Sequence, residues 1–245
     1  MTVTASPRTT GMRLSLDGLR VSYGDRIVID RLDLEIAPGE ILVLVGKSGC
    51  GKSTVLRAVA GLRTPQSGAV RADGAIVTGP SADRALVFQD DALLPWRTAR
   101  QNIELALRLR GLPRAARRDQ AGHWMDEVGL TGYADFLPRD LSGGMRQRVQ
   151  LARSLAGAPR AVLMDEPFGA LDTQTRATMQ HLLIDTWRAH PTTIVFVTHD
   201  LDEALLLGDR IAVLGGGTLR GVVDVPSPRQ AVDRRAVLAE ILEKL

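Results

Sequence analysis

Short stretches in which hydrophobic and polar residues alternate fill the first ninety positions of the chain. Leu14 to Val21 and Ile27 to Ile36 predict half-buried strands, as do Val70 to Val77 after Gly68 and Ala85 to Phe88. Several of these are expected to pair antiparallel. Ile41 to Val45 is different: it is continuously apolar and runs into glycines and a helix start, the pattern of a central parallel strand buried on both faces. From Ala99 to Ala156 the period becomes helical, with Ile103, Leu105, Leu107 and Leu109, then Trp124, Val128 and Leu130, interrupted by Gly111-Leu112-Pro113 and by Pro138. A strand at Ala161 to Met164, a helix at about Thr173 to Ala189, a strand at Thr193 to Val197, a helix from Asp200 and a strand at Arg210 to Leu214 complete the pattern. Strands that alternate with helices predict an α/β core of parallel strands. The end, Arg229 to Leu245, predicts a charged amphipathic helix.

The expected organisation is a tail at 1–12, one domain at 13–227 with a helical insert at about 90–159, and a C-terminal helix at 228–245. With 44% hydrophobic and 24% charged residues, the chain has the composition of an ordinary globular domain. No run reaches the roughly 18 consecutive apolar residues of a membrane helix, and Met1 to Met12 lacks the apolar centre of a secretory signal. Cys50 is the single cysteine, too few for a disulfide framework, so a cytoplasmic location is expected. The formal net charge is +3, carried almost entirely by arginines spread along the chain, which reads as a solvated surface. Lysine occurs only at 47, 52 and 244, so two of three fall in one glycine-rich segment.

That segment, Gly46-Lys47-Ser48-Gly49-Cys50-Gly51-Lys52-Ser53, fits G-x-x-x-x-G-K-[ST] and stands between an apolar strand and a helix. Glycines let backbone N–H groups converge on an anion, and the helix that follows adds its positive end. Lys52 is placed to reach the β- and γ-phosphates of a nucleotide and the Ser53 hydroxyl to take Mg²⁺, with Thr54 next along the helix. Cys50 reads as a small tolerated loop residue. At the end of the strand Ala161 to Met164 stand Asp165 and Glu166. Asp165 is placed to hold Mg²⁺ through its water shell, and Glu166 to orient or deprotonate an attacking water. His199 follows the strand Thr193 to Val197 and is placed to contact the γ-phosphate, whereas His123, His181 and His190 read as structural.

With Leu141-Ser142-Gly143-Gly144-Met145-Arg146-Gln147-Arg148, the chain resembles the ATP-binding cassette (ABC) family over about Leu14 to Val225. The resemblance implies the fold of a P-loop NTPase ABC nucleotide-binding domain, with an N-terminal antiparallel β portion and an inserted helical subdomain. It also implies MgATP hydrolysis. Tyr23 corresponds to the aromatic that stacks on adenine, Gly46 to Ser53 to Walker A, and Gln89 to the Q-loop glutamine that senses γ-phosphate and Mg²⁺. Leu141 to Met145 correspond to the signature, Asp165 and Glu166 to Walker B, Leu171-Asp172 to the D-loop, and His199 to the switch histidine. Met145 departs from the glutamine usual at that position. In the family Ser142, Gly143 and Gly144 complete the ATP site of the opposite subunit, so the resemblance implies a dimer of cassettes.

The wording Asp91-Ala92-Leu93-Leu94-Pro95-Trp96 and the signature run resemble the importer branch that serves nitrate, taurine and aliphatic sulfonates. The implied partners are a second, identical cassette, transmembrane permease subunits and, indirectly, a solute-binding protein, with the chain peripheral on the inner face of the membrane. Trp96 is either a docking residue or a core residue. The alternative is a soluble ABC ATPase without a transport role. DNA-maintenance members split the cassette with a long coiled coil, and none lies between Walker A and Walker B here, so no nucleic-acid partner is expected.

Overall fold

The computed structural model describes residues 11–226 and 235–245. β1 (Leu14–Tyr23) and β2 (Arg26–Ile36) form a long antiparallel hairpin. β4 (Ser67–Ala72) lies on the other side of β1 and pairs with the two-residue β5 (Ala75–Ile76), giving a four-stranded sheet of order β2-β1-β4-β5. The single strand expected over Val70 to Val77 is therefore a tight hairpin. Its loop is Asp73-Gly74, both residues in the left-handed region at φ 50 and 83, which is the turn that Asp-Gly favours.

The second sheet has six strands in the order β10-β9-β3-β8-β7-β6. β3 (Ile41–Val45), β6 (Arg84–Val87), β7 (Ala161–Asp165), β8 (Thr193–Val197) and β9 (Arg210–Gly215) are mutually parallel. β10 (Thr218–Asp224) runs antiparallel on the edge beside β9, joined by Gly216 and Gly217 at φ 59 and 80. This strand was not expected, because only Val223 of its seven residues is buried and the alternation is weak. β6 stops at Val87, so Phe88 lies beyond the strand and is 42% exposed.

All five residues of β3 are fully buried. At about 1.5–3 kcal/mol for each buried Leu, Ile or Val side chain, this strand is fixed, and motion near the site belongs to the loops. The large sheet is a wall between two cores. Ile41, Val43 and Val45 join Met164, Phe196 and Ile211 on the side of the helical lobe. Leu42 and Leu44 join Val195, Val197, Leu19 and Ile29 on the side of the small sheet, where α1 (Lys52–Val59) packs.

Between β6 and β7 lie α2 (Ala99–Leu109), α3 (Arg114–Glu127), a short 3-10 turn at Pro138–Asp140 and α4 (Gly143–Ala156). Thr98 and Gln101 form a capping box at the start of α2, and Ser142 caps α4. α5 (Thr173–Ala189) is capped by Asp172 and α6 (Leu201–Leu207) by Asp200. α7 (Arg235–Lys244) buries Ile241, and the expected helical residues 229–234 lie outside the described residues. So do 1–10; of the expected tail, Met12 belongs to the packed domain, because it is buried and its N–H donates to Thr193 Oγ1 at 2.8 Å. Among the described residues, no helix is long and apolar enough to cross a membrane.

Candidate active site

β3, β8 and β7 are neighbours in the sheet, so the loops that leave their C-terminal edges meet. The first is the 46–53 loop. Gly46 has φ 154, and a Cβ there would lie 2.3 Å from the Leu214 carbonyl oxygen. Gly51 caps α1 at φ 108, and a Cβ there would lie 2.4 Å from Ile29 Cδ1. Both positions therefore require glycine. Lys47, Ser48 and Gly49 are exposed at the rim, while Cys50 and Thr54 are buried. Lys52 is 6% exposed, and its ammonium donates to the carbonyl oxygens of Gly46 at 2.7 Å and Lys47 at 3.3 Å. A buried cation and a helix N-terminus thus stand at one end of the loop, ready for an anion.

Asp165 and Ser53 meet across this edge, the hydroxyl donating to Oδ1 at 2.9 Å. Burial pushes the Asp165 carboxyl up, and the neighbouring Glu166 charge adds to this, while the Ser53 hydrogen bond and the charges of Arg57 and Lys52 oppose it. One hydroxyl and one carboxylate suit Mg²⁺, which keeps several waters and takes phosphate oxygens for its other positions.

Glu166 holds a left-handed backbone at φ 45, unusual for a residue with a Cβ, and its N–H donates to the Val197 carbonyl at 3.0 Å. This turn brings its Oε2 to 2.9 Å from His199 Nδ1. A Cβ added to Gly169 would lie 3.7 Å from Glu166 Oε2 and 3.8 Å from Gln89 Nε2, so Gln89 belongs to the same corner. Tyr23, at the end of β1, is 41% exposed, and Arg63 sits 4.4 Å from its ring centroid. Partial burial raises the Tyr23 phenol, but hydrogen bonds with Thr54 and Arg57 and the charges of Arg57 and Arg63 leave it below its ordinary value.

Ser142, Gly143 and Gly144 stand apart from these residues. They line a groove of about 590 Å³ together with Tyr133 and the loop at Ala170 to Asp172, and no residue of the 46–53 loop contributes to it. Ser142 Oγ accepts from the Met145 N–H at 3.3 Å, so position 145 takes part through its backbone while its side chain packs against the helical core. His181 Nδ1 lies 2.8 Å from the Ala177 carbonyl, and His190 Nε2 lies 2.7 Å from Glu127. His123 Nε2 is 3.9 Å from the same carboxylate.

Sequence reasoning missed the polar residues that fasten the loops. Arg176 Nη2 donates to the Leu171 carbonyl at 3.0 Å, and its Nη1 lies 3.4 Å from Asp200. On α4, Arg146, Gln150 and Arg153 reach the segment that carries Gln89. Their spacing of four and three residues on a predicted helix was the available signal.

The ABC transporter family model matches residues 29–169. The nitrate import ATP-binding protein NrtD of Synechocystis is 46% identical over 89% of this chain and 84% of its own length. The taurine import ATP-binding protein TauB of Sinorhizobium fredii is 46% identical over 82% of this chain and 76% of its own length. Among solved structures, the cassette MJ0796, a dimer in a post-hydrolysis state bound to ADP and Pi, superposes with a TM-score of 0.76 at 31% identity, covering 87% of this chain and 99% of that one. A glycine-rich loop after β3, paired carboxylates at the end of β7, a family match over more than half the residues and this likeness in fold converge: the chain belongs to the ABC transporter family and is an ATP-binding, ATP-hydrolysing cassette.

Proposed function

We propose that the chain energises uptake of a small solute, in the class of nitrate, taurine or an aliphatic sulfonate, through separate membrane subunits, working as a pair of identical cassettes on the inner face of the membrane. The names of the similar import proteins support the direction and class of cargo. The observation that carries the need for partners is exposed apolar surface near the two ends of α2 and in the groove beside β6. Trp96 is 72% exposed and Leu109 71%, and a groove of about 290 Å³ runs between β6, α2 and α4, lined by Leu86, Leu105, Leu109 and Arg110. A permease segment seated there would press on the loop that holds Gln89. A solute-binding protein would act on the permease from its other side.

In this reading the 13–227 domain grips ATP by its 46–53 loop, with Lys52 on the β- and γ-phosphates and Tyr23 under the adenine. Ser53 and Asp165, with Gln89 close by, would hold Mg²⁺, which would supply positive charge against the phosphates. Glu166 orients the attacking water and His199 holds the Glu166 carboxylate by its Nδ1 while meeting the γ-phosphate with its other nitrogen. Ser142, Gly143 and Gly144 offer a second helix N-terminus to the nucleotide of the partner cassette, which their distance from their own 46–53 loop favours. ATP between two chains draws them together, and hydrolysis releases them.

Reconstituting the cassette in vesicles with candidate permease and solute-binding proteins from the same organism tests the proposal. ATP turnover is expected to rise when nitrate, taurine or a sulfonate is supplied to the binding protein. Turnover indifferent to the permease would favour a soluble ABC ATPase without a transport role.

A further inference from the structure

The residue before Gln89 and the residue after it are held by one buried side chain. Gln150 is 1% exposed, and its Nε2 donates to the Phe88 carbonyl at 3.1 Å and to the Asp90 carbonyl at 2.9 Å. An amide nitrogen has two hydrogens, and both are spent on the main chain that brackets Gln89. Its Oε1 is buried with no hydrogen-bond partner. Within the chain the amide is therefore tied down through its donors alone. The donors are what the position needs.

Gln150 does not act alone. Arg146, one turn before it on α4, places Nε 2.7 Å from Asp91 Oδ2. Arg153, three residues after it, donates to the carbonyls of Ala92 at 2.8 Å and Asp91 at 3.2 Å. Burial lowers the Arg153 guanidinium from its usual value against the pull of Asp91, which marks a cation taken out of water to reach main-chain oxygens. Residues 146, 150 and 153 fall on one face of the helix. They bond to four of the five residues from Phe88 to Ala92, all but Gln89 itself, and reach a left-handed turn at Ala92 with φ 45. The same helix begins at Ser142.

We infer that Gln150 is a positioning residue for the ATPase reaction, a two-carbonyl clamp that fixes the backbone of Gln89 to the signature helix. This rests on the reading of Gln89 as the group that meets γ-phosphate and Mg²⁺.

The test compares Gln150→Met, which keeps length and volume but removes both donors, with Gln150→Glu, which turns a carboxylate toward two carbonyl oxygens, and with Gln89→Ala, each in the assembled transporter. Either Gln150 variant is expected to lower kcat on the order of tenfold or more while the KM for ATP stays within about threefold, because the nucleotide's main grip is elsewhere. Amide hydrogen exchange across 88–92 is expected to quicken in both variants with α1 and α5 unchanged, a readout that remains available if activity is lost. Combining Gln150→Met with Gln89→Ala is expected to cost little more than Gln89→Ala alone. Normal turnover in Gln150→Met, unchanged exchange, or fully additive losses would overturn the clamp and leave Gln89's role standing. Normal turnover in Gln89→Ala would overturn the reading of Gln89 itself, and the clamp with it.

Discussion

Glu166 Oε2 and His199 Nδ1 stand 2.9 Å apart, although they leave two different strands and 33 residues separate them. The left-handed turn at Glu166 and the short loop after β8 aim them at each other, so His199 fixes the orientation of the carboxylate. Removing its charge separates binding from chemistry. Glu166→Gln is expected to abolish ATP turnover and keep ATP affinity. The variant will accumulate as a dimer with MgATP and return to monomer with ADP, which size-exclusion chromatography measures. Persistent monomer in ATP, both alone and with the membrane subunits, would count against the composite site. Adding Ser142→Arg, which puts a bulky cation at the start of α4, will abolish that dimer while each chain still binds ATP.

Lys52 is buried and bonded to the carbonyls of its own loop, so it helps to shape that loop. Lys52→Ala is expected to lower ATP affinity or turnover by orders of magnitude while the chain stays folded. Circular dichroism together with an ATPase assay decides this, and near-normal hydrolysis in a folded variant would remove Lys52 from the site.

Trp96 is exposed, so its truncation removes little packing within the chain. Trp96→Ala is expected to change stability by no more than about 0.5 kcal/mol. Co-purification with the permease will weaken in the same variant. Unchanged co-purification would remove Trp96 from the docking surface.

Glu203 is buried at 5% exposure beneath the His199 loop, and Gln180 Nε2 donates to its Oε1 at 3.0 Å. Burial pushes its carboxyl above the ordinary value, and hydrogen bonds from Thr198 and Gln180 only partly offset this. The folded protein therefore holds this proton more tightly than the unfolded chain does, and stability falls as pH rises from 4.5 through the raised value. Glu203→Gln, still able to accept from Gln180, is expected to raise the melting temperature at neutral pH and to lose that advantage below the ordinary carboxylate range. Melting curves of both proteins from acid to neutral pH test it, and an equal difference at every pH would refute it.

The glycine-rich loop and the paired carboxylates were legible in the sequence because their chemistry is local. Gly46 and Gly51 are required by positive φ and close approach, and Asp165 ends and Glu166 follows a strand that is otherwise apolar, so spacing alone locates them. The exposed edge strand β10 was not legible, since it is half wet and its residues do not alternate cleanly. The Asp73-Gly74 turn was present in the letters but was hidden by apolar residues on both sides. Gln150, Arg153 and Arg176 escaped notice because a polar residue on a helix normally faces water, and their targets are main-chain carbonyls that no sequence motif marks. The exposure of Trp96 depends on how α2 and the preceding loop settle, which a short apolar run leaves open.

β3 gives Ile41, Val43 and Val45 to one core and Leu42 and Leu44 to the other, and β8 divides its residues in the same way. Neither core can melt while the other persists, because the same two strands would have to be ordered and disordered at once. Heat should therefore unfold the chain in one sharp calorimetric transition despite its two sheets and helical lobe. Nucleotide held at the end of β3 would raise that whole transition by mass action, so the thermal shift on adding ATP reports occupancy of the site without any measurement of turnover.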